Sequence, residues 1–295
     1  MSGGHSRGMY WEELSRHAGG SGVEEIWLSH PAVRSEVNRR ISGRPETWPM
    51  QWLRERLLTR LPLPSVVSVG CGTGALERDL VEKEICGHVT GIDTVEQPLL
   101  RASELASAPP FRGRISYERT DAIEFLTNLS ERLDGIFFHA SLHHFSRPDE
   151  IVAASWNSLR PGGILYIDEY VGPSRRQWHP LRLLLPNLIY WLLPPGSRRA
   201  RIVRAPINRE DPTEAIASHK IIPAVRRRFR VLECRGYGGN LLALIFPNLR
   251  RPTSAQDSRT RETLDRSVGR LLRAEDFLLE KLKVESYHTV LLAQK

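Results

Sequence analysis

The chain has 295 residues, enough for one large domain or two small ones with a buried core. Hydrophobic residues at 40% and charged residues at 26% exclude a disordered or fibrous chain. The excess of 42 Lys and Arg over 34 Asp and Glu gives a net charge of +8, which favours acidic partners such as nucleic acid, anionic lipid or phosphorylated substrates.

Cys71, Cys86 and Cys234 have neither paired nor metal-like spacing, so a disulfide framework and a structural zinc site are both unexpected. No apolar run reaches the roughly 18 residues that span a bilayer, and residues 1–8 are polar and Gly-rich with no signal-peptide core. A reducing, cytoplasmic setting is expected.

Residues 1–60 read as short helices between Gly and Pro breaks, with Val33, Val37 and Ile41 at helical spacing, and are expected to form a helical cap. From residue 65 the pattern changes to β-rich runs at 65–69, 88–92, 115–120, 135–138 and 164–171, alternating with amphipathic stretches, which is the signature of a parallel α/β sheet. Residues 172–210 carry six prolines, many arginines and an apolar stretch, and read as an insertion forming a lid. The α/β pattern then resumes with a helix at 211–227, a strand at 230–234, a helix at 260–281 and a strand at 288–293.

The first run ends in Val69-Gly70-Cys71-Gly72-Thr73-Gly74 and passes directly into a helix. Glycines there let the backbone turn sharply and approach a ligand, and the helix N-terminus faces an anionic or polar group. Gly70, Gly72 and Ala75 also satisfy the nicotinamide fingerprint, so an NAD-dependent oxidoreductase is an alternative, weakened by the lack of any Tyr-x-x-x-Lys pair. Asp93 closes the second run, 19 residues past Gly74, where a carboxylate can accept both hydroxyls of a ribose. The third run ends in Asp121-Ala122, placed to meet an adenine. The fourth gives Asp134-Gly135-Ile136-Phe137-Phe138-His139-Ala140-Ser141-Leu142-His143-His144, and the fifth follows Leu159-Arg160-Pro161-Gly162-Gly163.

These five features in this order resemble the class I S-adenosylmethionine-dependent methyltransferases over residues 62–172, and residues 287–295 look like that family's antiparallel seventh strand. The resemblance implies a Rossmann-like α/β fold: a seven-stranded sheet with helices on both faces, within residues 61–295. It implies S-adenosyl-L-methionine over Gly70, Cys71, Gly72 and Gly74, ribose on Asp93, adenine near Asp121 and Ala122, and His139 lining the cofactor pocket. Ser68 departs from the family pattern, since many members carry an acid there, so the cofactor's amino group is expected to be held differently. The Asn/Asp-Pro-Pro-aromatic motif of enzymes acting on nucleobase amino groups is replaced by His139-Ala140-Ser141-Leu142, which argues against that branch.

Methyl transfer from an activated donor needs alignment above all, and a base chiefly when the nucleophile is a hydroxyl. His143 or His144 could take that proton, with Glu169 as a substrate contact or alternative base. The bland reading is that Leu-His-His is a structural signature bonded to its own loop, and that Glu169 pairs with Arg175 or Arg176. Along a strand Glu169 should point away from Asp168 and Tyr170. No metal site is expected. Six of the seven tryptophans lie outside the α/β run, namely Trp11, Trp27, Trp48, Trp52, Trp178 and Trp191. One or two of them are expected to reach a pocket for an apolar or aromatic acceptor. The run 181–193, apolar between arginines, fits either a packed lid helix or peripheral contact with a membrane. The reading is therefore a small-molecule methyltransferase acting at oxygen, with nucleic acid an unfavoured partner. An RNA or protein methyltransferase and a non-catalytic S-adenosylmethionine binder are the other readings.

Overall fold

The computed structural model describes residues 26–254 and 256–295, so the expected helices before residue 26 and Trp11 lie outside the described residues. Two helices come first, α1 (Pro31–Ser42) and α2 (Pro49–Leu57). Each starts on a proline, whose fixed φ suits the first helical turn, and α1 stops at Gly43 in the left-handed region.

The sheet is built from β1 (Leu63–Val69), β2 (Cys86–Asp93), β3 (Ile115–Arg119), β4 (Leu133–His139), β5 (Leu159–Tyr170), β6 (Arg230–Gly238) and β7 (His288–Gln294). Their order across the sheet is β3-β2-β1-β4-β5-β7-β6. The first five run parallel, and β7 lies antiparallel between β5 and β6. The expected seven-stranded sheet is thus present. The chain winds outward from β1 to β3 and then restarts on the other side at β4, which opens a crevice above the carboxyl ends of β1 and β4.

Alternation along the strands feeds two cores. Phe137 of β4 and Tyr166 of β5 point to one face, and Phe138 and Leu165 to the other. The first face is covered by α1, α2, α3 (Ala75–Glu82), and, after the α4 (Glu96–Leu105), α5 (Ala122–Asn128) and α6 (Pro148–Ser158) helices in the chain, by α7 (Leu184–Leu192) and three later elements. The second face is covered by α5, α6 and α8 (Ile221–Arg228). The last two helices, α9 (Leu242–Ile245) and α10 (Ser258–Glu280), join the first face.

Two expectations need correction. The helix expected at 211–227 begins only at Ile221, because Asp211 and Pro212 set up a turn in which the Asp211 Oδ1 accepts the Thr213 amide at 2.8 Å. Residues 159–163, expected as a turn into the strand, are already the start of β5. Arg160 there pairs with the buried Asp134, which also accepts the Ser65 amide at 2.9 Å. Two of the sequence features that carry the family resemblance therefore meet at the foot of the sheet, as scaffold.

A buried ion-pair network fastens α1 to α10. Arg40, with 7% of its side chain exposed, donates to Glu275 at 2.8 Å, to Asp276 at 2.6 Å, to Glu36 at 2.8 Å and to the Tyr237 carbonyl at 3.0 Å. Glu275 is fully buried and also accepts the amides of Gly239, Leu241 and Leu242. Removing the guanidinium leaves that carboxylate without its counter-charge. Arg40→Met is expected to lower stability by about 3–5 kcal/mol, read as a shift of the urea midpoint.

Glu77 of α3 is fully buried near Ser68, and neither of its oxygens has a hydrogen-bond partner. Burial pushes its carboxyl up to about 7, against the pull of the nearby Ser68 hydroxyl. Between about pH 4.5 and 7 the folded protein therefore holds a proton that the unfolded chain has released, and stability falls as pH rises through that window. Glu77→Gln abolishes this slope. Its stability relative to the parent should improve by about 2–3 kcal/mol between pH 5 and pH 8, measured by urea unfolding at the two values.

Candidate functional site

The turn from β1 into α3 places Gly70, Gly72 and Gly74 in the left-handed region, with φ of 69°, 54° and 75°. The space around them differs. A Cβ on Gly70 would meet the Ser141 Cβ at 2.6 Å, and one on Gly74 would strike the Tyr117 ring, so both are glycines for packing as well as conformation. Over Gly72 nothing lies within 4 Å, which makes it the point of the loop that a ligand can approach. Asp93, at the end of β2, accepts the Gly72 amide on Oδ2 and the Val95 amide on Oδ1, both at 3.0 Å. Its carboxylate thus orients the loop and borders the open position. Asp121 caps α5, with Oδ1 accepting the amides of Ile123 and Glu124, and its neighbour Ala122 is buried. The open Gly72 cradle with carboxylates at two strand ends fits an adenosyl group.

The loop after β4 is organised by Glu169. This fully buried carboxylate accepts the amides of Ser141 at 2.9 Å, Leu142 at 2.6 Å and Tyr170 at 2.8 Å, and pairs closely with His143 Nδ1. The far nitrogen of His143 lies 3.5 Å from Glu214, on the segment after the insertion. Burial opposes a charge on His143, but the two carboxylates outweigh it and push the imidazole up to about 10. The two carboxylates thus favour the protonated form of His143, which runs against the expectation that it takes the acceptor's proton. Glu169 is likewise committed to the loop and to His143, not to Arg175 or Arg176. Both ring nitrogens of His143 face carboxylates, Nδ1 on Glu169 and Nε2 on Glu214.

His144 stacks on His143 with ring centroids 4.1 Å apart, and its Nδ1 lies 3.1 Å from the Thr213 hydroxyl and 3.4 Å from Asp211. His143, His144 and Glu214 bring ligand atoms within 4.8 Å of one another. Such a set, with carboxylates behind the far ring nitrogens, can hold a divalent cation only in place of the proton on His143. The sequence predicts no metal here, because the histidines and Glu214 are 70 residues apart.

A cavity of about 1160 Å³ runs from the glycine loop across the end of the sheet. Gly70, Cys71 and His139 line its glycine-loop end, with His143 and Glu169 beside them, while Gly72, Gly74, Asp93, Asp121, Ala122 and His144 lie outside its lining. Asp168, Glu169 and Tyr170 all line it, and alternation divides them as expected: Asp168 meets Tyr237 and Tyr170 meets His288, while Glu169 turns the other way to Ser141, Leu142 and His143. His139 is half-exposed, with Nδ1 3.7 Å from Asp168. Asp168 accepts the Tyr237 hydroxyl at 2.7 Å, and burial raises its pKa against the opposing pull of His139 and Tyr237.

The far wall is aromatic. Trp27 stacks on Tyr237 with centroids 6.4 Å apart, His288 packs against Trp27, Tyr170 and Tyr237 at 5.2–5.6 Å, and Trp178 meets Tyr287 edge-on at 6.0 Å. Burial lowers His288 to about 4, so its ring is neutral and behaves as part of this wall. Of the tryptophans, Trp27, Trp48 and Trp178 line the cavity, whereas Trp52 is in the core and Trp191 is exposed. Sequence reading missed Arg34, Glu214, Tyr237, Tyr287 and His288. Arg34 lies 4.6 Å over the Trp48 ring and lines the same space. The aromatic spacing in β6 and β7 is visible in the sequence, but which strands adjoin β5 is not.

Residues 67–167 match the family model described as a methyltransferase domain. The ubiquinone biosynthesis O-methyltransferase of Saccharomyces cerevisiae is 33% identical over 120 residues, 40% of this chain and 37% of that protein. The chain thus matches well under half the length of that relative. The solved [4+2]-cyclase SpnF superposes with a TM-score of 0.50 at 17% identity, covering 98% of this chain and 94% of the other. A geranyl diphosphate methyltransferase solved with GPP and sinefungin gives 0.50 at 14% identity, over 82% of this chain and 76% of the other. These two likenesses are of fold. Residues 67–167, with the glycine loop and strand-end acids described above, thus match a methyltransferase domain.

Proposed function

We propose that the protein transfers the methyl group of S-adenosylmethionine to a hydroxyl of an apolar, ring-bearing small molecule. The observation that carries this reading is the single cavity joining the glycine loop to a wall of Trp27, Trp178, Tyr237, Tyr287 and His288. Aromatic walls of this kind grip flat rings with little loss of side-chain freedom. Oxygen is favoured by the yeast relative, which is an O-methyltransferase by name.

When bound, the cofactor supplies a sulfonium-activated methyl. Gly72 would lie under it, Asp93 would take the ribose hydroxyls, and Asp121 with Ala122 would border the adenine. The His143 imidazolium between Glu169 and Glu214 ties the β4 loop to the segment after the insertion, and so fixes the floor on which the acceptor rests. Proton acceptance then falls to His139. Among the described groups it combines an exposed ring, a neighbouring carboxylate in Asp168 and a position at the carboxyl end of β4.

Calorimetry should show binding of S-adenosylmethionine and none of NAD, and Asp93→Ala should weaken the former at least tenfold. Incubation with methyl-labelled cofactor and a panel of catechols and hydroquinones should move label into the organic phase. His139→Ala should slow that transfer by about 10²–10⁴-fold, and His143→Gln should act mainly through the midpoint of unfolding. Binding of NAD in place of S-adenosylmethionine, or turnover of the acceptor without label, as a cyclase on this fold would give, overturns the reading.

A further inference from the structure

The segment after β5 leads through a short turn, Pro180–Leu183, into α7. An ordinary surface helix hides its apolar stripe and shows its polar one. Here the inward side is already satisfied: Pro186 and Tyr190 are buried, and the Tyr190 hydroxyl, 2.8 Å from the Ala200 carbonyl and 2.9 Å from that of Asn248, has one proton to give between them and accepts the Ala200 amide. Asn187 holds the same side through the Val203 carbonyl and amide at 3.0 and 2.8 Å. The rotation of α7 is therefore fixed by buried hydrogen bonds.

Its outward side is also apolar. Leu181, Leu184, Leu185, Leu188, Trp191 and Leu192 are 71%, 62%, 43%, 55%, 53% and 72% exposed. Their spacing of three and four residues puts them on one stripe. Ile202, 44% exposed, extends the patch across a shallow groove that also contains Trp178, and Trp178 lines the main cavity. The apolar surface thus leads to the cavity wall.

The charge beside the stripe is of one sign. Residues 172–210 contain eight arginines and a single acid, Glu210. Arg176, Arg182, Arg199, Arg201, Arg204 and Arg209 are exposed, and among the described residues none of them forms an ion pair with a carboxylate. Trp191 donates its indole N–H to the Arg201 carbonyl at 3.1 Å, which places this basic strand directly beside the stripe. No described helix is long and apolar enough to cross a membrane. A short apolar stripe bordered by unpaired guanidiniums matches a surface of acyl chains under anionic headgroups.

We propose that α7 lies in the interface of an anionic lipid bilayer, its leucines among the acyl chains and the neighbouring arginines on lipid phosphates. Resting on the acceptor class proposed above, this docking gives an apolar acceptor a path from the bilayer past Trp178 into the cavity. The lipid contact itself does not depend on the reaction.

The full chain should be sedimented with vesicles of phosphatidylcholine alone and of phosphatidylcholine with phosphatidylglycerol at three to one. Association with the anionic vesicles is expected to be at least tenfold stronger than with the neutral ones. It should fall at least tenfold in Leu188→Glu/Leu192→Glu, whose side chains are exposed and bear on no buried contact, and in Arg199→Gln/Arg201→Gln. Calorimetric affinity of the same variants for S-adenosylmethionine should be unchanged, which separates a failure of the lipid contact from a failure of the cofactor reading. Equal binding of parent and both variants, a chain that stays in the supernatant with both vesicles, or a dimer by light scattering that Leu188→Glu/Leu192→Glu splits, overturns the proposal.

Discussion

The geometry above the sheet depends on where one buried negative charge goes. Glu169 is buried near the end of β5, and it gathers three backbone amides and the His143 imidazole around itself. A charge so deeply placed is tolerable only when all its partners are in position together. The consequence is that the β4 loop has one arrangement: Ser141 is drawn against Gly70, and His143 is turned toward Glu214. Glycine loop, β4 loop and the segment after the insertion are thereby set relative to one another by these polar contacts together with the packing of Leu142.

The parts of this architecture that were legible in the sequence are those governed by local chemistry. The order of five β-rich runs, the glycine turn after the first and acids at the ends of the second and third follow from neighbours along the chain. The structure refines the glycine turn without altering it, since only Gly72 has open space above it. The seventh strand was also legible, and it lies antiparallel beside β5.

What was not legible arises from pairings distant in sequence. Residues 211–220 have an amphipathic pattern that suits a helix, but Pro212 and the Asp211 turn override it, and the result is to deliver Glu214 to His143. From sequence, His143 looks like a base. Two carboxylates from other elements raise its pKa and favour its cationic form. The aromatic wall is assembled from residue 27, the ends of β5, β6 and β7, and Trp178, and no window of sequence contains more than two or three of its members. Glu77 gave no signal at all, because its burial comes from the packing of α3 under the glycine loop.

Arg40 shows what this arrangement means for descent and redesign. By fastening the helix that precedes the sheet to the one that precedes the final strand, it makes the aromatic half of the cavity a joint product of segments flanking residues 67–167. The stretch that matches the methyltransferase domain carries the glycine loop, while the aromatic wall is assembled mostly outside it. Kinship measured over the shared stretch can therefore run ahead of kinship in substrate. Exchange of the flanking segments between relatives would have to carry both sides of the Arg40 clasp to keep the chamber intact.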